Sequence, residues 1–102
     1  MHTYEKNLMQ VDMNLLVVFM VLFRELSVSR AAEHLSVGQP AVSGSLVRLR
    51  NCFDDRLFVR CGRGIRPTEK ALQIAEALTP AMSALGSVID GLAAGITRAN
   101  RN

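Results

Sequence analysis

The sequence is poor in aromatic residues, which make up 5% of its 102 residues, and tryptophan is absent. This scarcity argues against a β-sandwich, whose strands are enriched in aromatic and β-branched side chains. Hydrophobic residues still account for 49% of the chain, which is enough to form the core of one small domain. We therefore expect a mainly helical domain with an aliphatic core.

Residue patterns of metal centres and catalytic sites are also missing. Cys52 and Cys61 match no zinc-ligand spacing, and we interpret them as free, reduced cysteines of a cytoplasmic protein. The two histidines stand far apart with no nucleophile motif around them. The adjacent Asp54 and Asp55 are typical of a capped, solvated turn. The sequence predicts no enzymatic activity, no cofactor and no metal.

A signal peptide and a long hydrophobic run are equally absent. The longest uncharged apolar run, 15–23, is far shorter than the ~20 residues that span a bilayer. Residues 1–10 lack the apolar region of a signal peptide. We predict a cytoplasmic protein without membrane association, and we interpret the polar, aperiodic residues 1–11 as a disordered lead-in.

Two helices are predicted ahead of residue 36. Asp12 is a favourable N-cap, and apolar residues recur at helical spacing across 14–25, which predicts a buried first helix. Ser27 and Ser29 both offer a second cap, and we expect Ser29 to head a short helix over 30–35. Two consecutive alanines in that helix would let another helix approach closely.

A tight turn at 36–38 precedes a third helix, predicted from Gln39 to about Cys52. Pro40 falls in its first turn, where the missing N–H has no helical partner to lose. Its inward row is Val42, Leu46, Leu49 and Phe53. The other faces carry Gln39, Ser43, Gly44, Val47, Arg48 and Arg50. A short helix, a tight turn and a second helix with a polar outer face are the helix-turn-helix arrangement, whose second helix lies in a DNA major groove.

A two-stranded wing is predicted after this helix. Residues 57–60 alternate as a strand does, 61–64 form a turn, and 65–67 provide the returning strand. We interpret the turn glycines as letting the tip approach the sugar-phosphate backbone, where Arg63 would meet a phosphate.

Positive charge is concentrated around this wing, although the net charge is only +3. Two aspartates and six arginines lie within 48–66, and the arginines are Arg48, Arg50, Arg56, Arg60, Arg63 and Arg66. Clustered arginine is expected of a nucleic-acid-binding protein. A solvated basic face is the alternative interpretation.

Thr68 is a candidate N-cap for a long helix predicted over 68–97. Its apolar residues alternate at spacings of three and four, as in the a/d seam of a coiled coil: Ala71, Ala75, Leu78, Met82, Leu85, Ile89, Leu92 and Ile96. Pro80 is expected to kink the helix, and 98–102 to form a flexible tail.

This apolar stripe is longer than a three-helix core can cover. We therefore expect it to pair with the same helix of a second chain. The residues predicted to form that dimer contact are Leu78, Met82, Leu85, Ile89 and Leu92. An ordinary core helix folded back on the domain is the alternative.

Several motifs resemble the opening of LysR-type transcriptional regulators. They are VDMNLLVVF at 11–19, SRAAEHL at 29–35 and QPAVS at 39–43. The wing motifs, LFVR at 57–60 and GIRPT at 64–68, resemble the subgroup of nodulation and aromatic-degradation activators. The resemblance covers Val11 to about Leu92, nearly the whole chain.

The resemblance implies a mainly α fold in which 12–67 form a winged helix-turn-helix and 68–97 a dimerising linker helix. The family's dimers bind interrupted palindromes in promoter DNA. The residues implied to meet bases in the major groove are Gln39, Pro40 and Ser43. Those implied to lie at the DNA backbone are Ser29, Arg30, Arg48 and Arg63, although solvated positions are equally open for Arg30 and Arg48.

The recognition helix departs from the family at two positions. Gly44 replaces a residue that is commonly long and polar or basic, and Gly38 replaces a small hydroxyl residue as the N-cap. We therefore expect base recognition to depend mainly on Gln39 and Ser43, with lower sequence discrimination than is usual in the family.

The resemblance also implies partners. These are double-stranded promoter DNA, a second copy of the chain, and as further candidates a full-length regulator or RNA polymerase. The family's effector-binding domain does not lie within these residues, so no small-molecule effector site is expected here; a fragment of a longer protein and a natural short form both stay open. The expected location is the nucleoid in the cytoplasm. The alternative function is a dimerising protein-interaction module that modulates a full-length regulator without strong DNA binding.

Overall fold

The computed structural model describes the backbone of residues 2–99 and the side chains of residues 2–94. Its elements, in chain order, are α1 (Thr3–Gln10), α2 (Met13–Glu25), α3 (Val28–Leu35), α4 (Gln39–Phe53), β1 (Phe58–Cys61), β2 (Gly64–Pro67) and α5 (Glu69–Ala99). Helices α2, α3 and α4 pack against one another, and β1 and β2 form an antiparallel hairpin. The predicted fold, a winged helix-turn-helix followed by a long helix, is confirmed.

Helix α1 occupies most of the segment predicted to be a disordered lead-in, so that prediction is wrong for Thr3–Gln10. The side chains of α1 are exposed or half-buried, and the segment therefore lacks the periodicity of a core-facing helix. Local preferences favour the helix instead: Glu5 in the first turn suits the helix dipole, and the segment is rich in good helix formers.

Helix α3 begins two residues earlier than predicted. The Ser27 hydroxyl accepts a hydrogen bond from the Arg30 amide at 3.2 Å, which makes Ser27 the N-cap and starts the helix at Val28. Ser29 therefore lies in the first helical turn and does not head the helix. Because both serines fit a cap, the sequence signal alone did not separate them.

The turn between α3 and α4 lies where the sequence predicts it. Ser36 takes the left-handed conformation at φ 57°, and the Val37 amide donates to the Ala32 carbonyl at 3.0 Å. Gly38 is the N-cap of α4, with Pro40 in the first helical turn. The recognition helix therefore begins at Gln39.

Phenylalanine forms the centre of the core in the first compact unit, which extends to Leu72. The buried Phe19 ring lies 5.6 Å from the Phe58 ring and 6.4 Å from the Phe53 ring. The Phe23 ring also lies 6.1 Å from the Phe19 ring, so all four phenylalanines of the chain meet here, and the prediction of an aliphatic core is wrong at this point. Buried aliphatic residues of this unit include Leu15, Val21, Leu22, Ala31, Ala32, Val42, Leu46, Leu49 and Leu57.

The wing is a hairpin whose turn consists of Gly62 and Arg63. Its register pairs Cys61 with Gly64 at the tip and Phe58 with Pro67 at the base. Gly62 has φ +59°, which a two-residue hairpin of the II′ type requires at its first turn residue. Glycine is therefore needed at position 62 by the turn itself.

Helix α5 starts at Glu69, where the Thr68 hydroxyl caps it by accepting a hydrogen bond from the Ala71 amide at 3.2 Å. The helix continues through Pro80 to Ala99. It therefore includes the first two residues of the predicted flexible tail, whereas 100–102 and the Ile96 side chain lie outside the described residues. A second compact unit begins within α5 at Gln73.

By length and composition alone, Glu69–Ala94 of α5 could cross a membrane, with a mean hydropathy of 1.3. Helices α1 and α2 meet the same test only as a pair bent by 71°. Glu76 and Asp90 fall inside the α5 segment, and a carboxylate is costly inside a bilayer. An apolar seam for pairing with another helix gives a similar composition.

Candidate nucleic-acid interface

Helix α4 has a buried row and an exposed face. Val42, Leu46 and Leu49 are buried, and their i, i+4, i+7 spacing places them on one side. The first turn and the other sides of α4 carry exposed residues, here called its exposed face: Gln39, Pro40, Ser43, Gly44, Val47 and Arg48. This face includes all three residues predicted to contact bases, and no core contact depends on its polar side chains.

A cleft of about 190 Å³ lies beside the N-terminus of α4. Gln39 reaches it from α4, Ser29 from α3, and Arg60 and Arg63 from the wing. Three of the predicted site residues, distant in sequence, therefore meet in one place. Two guanidinium groups and short polar side chains suit the oxygen atoms of a phosphate or the edge of a base.

Arg60 is the functional candidate that the sequence reasoning missed. It was counted among the clustered arginines but was given no role. Pairing in the hairpin aligns Arg60 with Ile65 and Val59 with Arg66, and successive strand residues point to opposite faces. Arg60 therefore shares the cleft face with Ile65, and Arg66 lies on the other face. Strand alternation was the signal that could have found it.

A second cleft, of about 320 Å³, adjoins the first and contains Arg30 and Arg63. Glu25 also lines it, but its carboxylate is paired with the Arg24 guanidinium at 3.0 Å. That pairing offsets the acidic charge beside Arg30. Arg30 of α3 and Arg63 of the wing tip, both predicted to contact the DNA backbone, are thus neighbours. Arg48, the third arginine of that prediction, lies apart from them on the exposed face of α4.

The wing is fixed to the end of α2 by a main-chain hydrogen bond. Leu26 ends α2 in the left-handed conformation at φ 53°, and its carbonyl accepts from the Ile65 amide at 3.1 Å. A Cβ at Gly64 would lie 2.7 Å from that carbonyl oxygen. The interpretation of this glycine as a DNA-approach residue is therefore corrected, because its own α2 neighbour already excludes a side chain.

Arg50 serves the fold and is removed from the arginines expected to attract nucleic acid. Its Nε donates to the Arg56 carbonyl at 2.8 Å, and its Nη2 donates to the Phe58 carbonyl at 3.1 Å. The half-buried side chain thereby joins the last turns of α4 to the start of β1. A charge held by two main-chain carbonyls is poorly placed to meet a phosphate.

Asp55 organises the junction between α4, the wing and α5. Its Oδ2 accepts hydrogen bonds from the Thr68 hydroxyl at 2.7 Å and from the Leu57 amide at 2.8 Å. The Thr68 hydrogen bond first, and the Leu57 amide second, hold the pKa of the Asp55 carboxyl below its ordinary value of 3.8. As the sequence indicates for this turn, the aspartate caps main chain.

Lys70 adds a further hydrogen bond at this junction. Its Nζ donates to the Phe53 carbonyl at 2.7 Å, at the C-terminus of α4, where a cation is favoured by the helix dipole. The wing base and the first turn of α5 are therefore joined to the recognition helix by polar contacts, in addition to the phenylalanine cluster.

The predicted dimer seam is uncovered along the outer part of α5. Leu85, Ile89 and Leu92 are 38%, 56% and 64% exposed, respectively, and Leu78 and Met82 are half-buried. The outer part of the predicted row is therefore an apolar surface open to solvent.

The chain matches the family model described as bacterial regulatory helix-turn-helix protein, lysR family, over residues 13–72. It is 43% identical over 84 residues to the HTH-type transcriptional regulator LeuO of Escherichia coli (strain K12), covering 82% of this chain and 27% of LeuO. It is 48% identical over 82 residues to the HTH-type transcriptional activator NahR of Pseudomonas putida, covering 80% and 27%. These relatives are named as regulators, and the chain spans about a quarter of their length.

Solved structures agree with this fold. A probable transcriptional regulator from Pseudomonas aeruginosa superimposes with a TM-score of 0.79 at 40% identity, over 83% of this chain and 28% of that one. The BenM DNA-binding domain, solved in complex with DNA at benA site 1, has a TM-score of 0.72 at 20% identity, over 80% and 95%. The Pseudomonas aeruginosa structure covers about the same fraction of the chain as the two relatives found by sequence. The similarity to the BenM domain, at 20% identity, shows the fold alone.

Proposed function

The chain belongs to the LysR family of bacterial regulatory helix-turn-helix proteins, and on that premise we propose that it binds double-stranded promoter DNA, in a sequence-specific manner, as a homodimer. The observation that carries the proposal is the convergence of Gln39, Ser29 and two wing arginines in one cleft beside the exposed face of α4. A helix with a buried row on one side and short polar residues on the other suits the major groove.

Base recognition is assigned to the first two turns of α4. The Gln39 amide can donate to and accept from an adenine edge, and the short Ser43 side chain lets the helix lie close to the groove floor. Pro40 stiffens the first turn between them. These three residues are the proposed major-groove contacts.

Phosphate contacts are assigned to both sides of the recognition helix. Arg30 and Ser29 provide them from α3, Arg48 from α4, and Arg63 from the wing tip. Arg60 joins this set because it lines the same cleft as Arg63. Guanidinium groups suit this role, since they present paired donors to phosphate oxygens.

Dimerisation is assigned to α5. The residues of the contact are Leu78, Met82, Leu85, Ile89 and Leu92, whose burial against the same helix of a second copy would remove a continuous apolar row from water. A two-fold dimer presents two recognition helices, and it therefore matches an interrupted palindrome. The corresponding location is the nucleoid in the cytoplasm, with RNA polymerase or a full-length relative as further partners.

The test is fluorescence-anisotropy binding to duplex DNA across a salt series. The DNA upstream of the protein's own gene is compared with a scrambled duplex of equal length, for the wild-type chain and for Gln39→Ala. We expect tight, salt-sensitive binding to the natural duplex, and a preference over the scrambled duplex that falls about tenfold in Gln39→Ala. A lost bidentate base contact of ~1–3 kcal/mol has this effect.

Ser83→Ala is a matched control, because it shortens an exposed polar side chain on α5 and should leave the preference unchanged. Weak binding that ignores both sequence and Gln39 would instead favour the alternative function, a dimerising protein-interaction module.

A further inference from the structure

We propose that Val47 is a specificity-determining residue that contacts the 5-methyl group of a thymine in the major groove, and that Gly44 provides the clearance for this contact. The inference rests on the proposed function, because it requires the exposed face of α4 to lie in that groove. It adds an apolar contact to the polar ones of Gln39 and Ser43.

Val47 continues the row of residues assigned to base contact. Gln39, Ser43 and Val47 are spaced by four, so they lie above one another on one face of α4. The Val47 side chain is 55% exposed, on the side of the helix opposite the buried row. Val47 does not belong to the buried core, and valine is a poorer helix former than alanine.

Gly44 is likewise unexplained by the fold. Among the residues that the structure describes, a Cβ built on Gly44 would meet nothing within 4 Å apart from its chain neighbours and the backbone of its own helix, and its φ lies outside the left-handed region. Any side chain would therefore fit in the free protein, and alanine would strengthen the helix. Gly44 and Val47, on one face of α4, thus both carry residues that stabilise the helix less than alanine would, and neither belongs to the buried core. Such departures from local preference are typical of functional sites.

The two positions are coupled by helix geometry. A helical side chain leans towards the N-terminus and over the turn before its own Cα, which for Val47 is the turn that contains Gly44 and Ser43. Because Gly44 places no side chain on this exposed face, α4 can lie closer to the groove floor there, and the Val47 methyl groups can then reach a base edge. Because the β-branched side chain has one preferred χ1 rotamer in a helix, it can be buried against DNA with little loss of side-chain entropy.

Thymine is the base that fits this apolar position. In the major groove it presents a C5-methyl group, and contact of apolar side chains with that methyl group is a recognised mode of base discrimination. The expected gain is about fourfold in affinity for one buried methyl group per half-site. Cytosine and the purines have no methyl group there.

The experiment uses the chain itself and needs no known operator. Duplexes are selected from a random pool with the wild-type chain, and each thymine of the enriched motif is then replaced singly by deoxyuridine, which differs only by lacking the 5-methyl group. We expect one thymine per half-site at which deoxyuridine weakens wild-type binding about fourfold.

Val47→Ala should bind the thymine and deoxyuridine duplexes equally, and it should melt at or above the wild-type temperature because alanine favours the helix. Val17→Ala is the matched control: Val17 is 40% exposed on α2, and its loss should leave the thymine-to-deoxyuridine ratio unchanged. Gly44→Ala should reduce that ratio while Val47 is still present.

The outcomes separate this inference from the function it rests on. A sharply enriched motif in which deoxyuridine is tolerated everywhere, or a Val47→Ala variant that retains the wild-type ratio, would overturn the thymine contact and leave sequence-specific binding intact. Selection that enriches no motif would refute both.

Discussion

One main-chain oxygen determines which residue can stand at position 64. A Cβ there would lie 2.7 Å from the Leu26 carbonyl oxygen, and that carbonyl is already bonded to the neighbouring Ile65 amide. The clash with this oxygen can be relieved only if the end of α2 and the wing move apart. We therefore expect Gly64→Ala to lower the free energy of unfolding by about 1–3 kcal/mol. Urea denaturation followed by circular dichroism measures this.

Gly44→Ala is the control for that substitution, since a Cβ there would meet no described atom within 4 Å beyond its chain neighbours and the backbone of its own helix. It should raise stability by roughly 0.5–1 kcal/mol. Equal effects of the two substitutions would contradict the steric role of the Leu26 carbonyl.

Asp55 gives the domain a specific acid sensitivity. The Thr68 hydroxyl and the Leu57 amide hold its pKa below the ordinary 3.8, so the unfolded chain binds the proton more readily than the folded one. The resulting stabilisation is complete above pH ~5, begins to decline as the pH approaches the unfolded-state pKa, and is lost as the pH falls through the lower, folded-state pKa. Chemical denaturation between pH 6 and 3 should therefore show a shallower acid decline for Asp55→Asn than for the wild type.

Asp54→Asn makes the same charge change one residue away without removing these hydrogen bonds, and it serves as the comparison. An unaltered acid decline in Asp55→Asn would mean that the carboxylate network does not contribute to stability.

Single residues also mark the boundary of what the sequence could predict. The Asp12, Gly38 and Thr68 caps were predicted correctly, because each follows from a residue and its immediate neighbours. The role of Arg50 could not be predicted, since its acceptors are main-chain carbonyls six and eight residues away. A count of arginines cannot distinguish a side chain held by the fold from one free to meet a phosphate.

At the scale of elements, α5 is the part of the chain whose apolar residues most need a partner. We expect Leu85→Ala to weaken dimerisation at least tenfold, the equivalent of about 1.4 kcal/mol, because each copy would lose a buried leucine side chain. Sedimentation velocity over a concentration series gives the dissociation constant.

Val88→Ala is the matched control on the same helix. Val88 is 58% exposed, but it falls outside the three-and-four rhythm of the seam, and its loss should change the dissociation constant little. A Leu85→Ala midpoint equal to that of the wild type would refute the seam.

The elements differ in how well periodicity predicted them. Helices α2 and α4 bury one side, so their apolar rows were visible in the sequence. Helix α1 buries no residue and was missed, because a helix stabilised by local preference leaves no such row. The cleft beside Gln39 could not be foreseen, since it depends on a contact between Leu26 and Ile65 that brings the wing beside α3.

For the whole molecule, the arrangement of charge predicts a steep salt dependence of DNA binding. Two copies each of Arg30, Arg48, Arg60 and Arg63 would neutralise about eight phosphates, which gives a slope near −7 in log K against log salt. Affinity should therefore fall about ten-thousandfold between 50 and 200 mM salt. Arg63→Ala should reduce the slope by about two.

Arg66→Ala also removes an exposed arginine, from the opposite face of the wing by the register that pairs Arg66 with Val59. It should retain the wild-type slope. The same reduction in both variants would indicate a general effect of net charge and no defined phosphate contact by the wing tip.

The division of α4 into a buried row and an exposed face bears on how such regulators diversify. Val42, Leu46 and Leu49 hold the helix in place, and none of the side chains proposed to contact bases takes part in that packing. Mutations on the outer face can therefore accumulate after gene duplication without crossing a folding threshold. Paralogues would acquire new operators by small, individually viable steps, and the same scaffold could be reprogrammed in the laboratory by randomising the outer face alone.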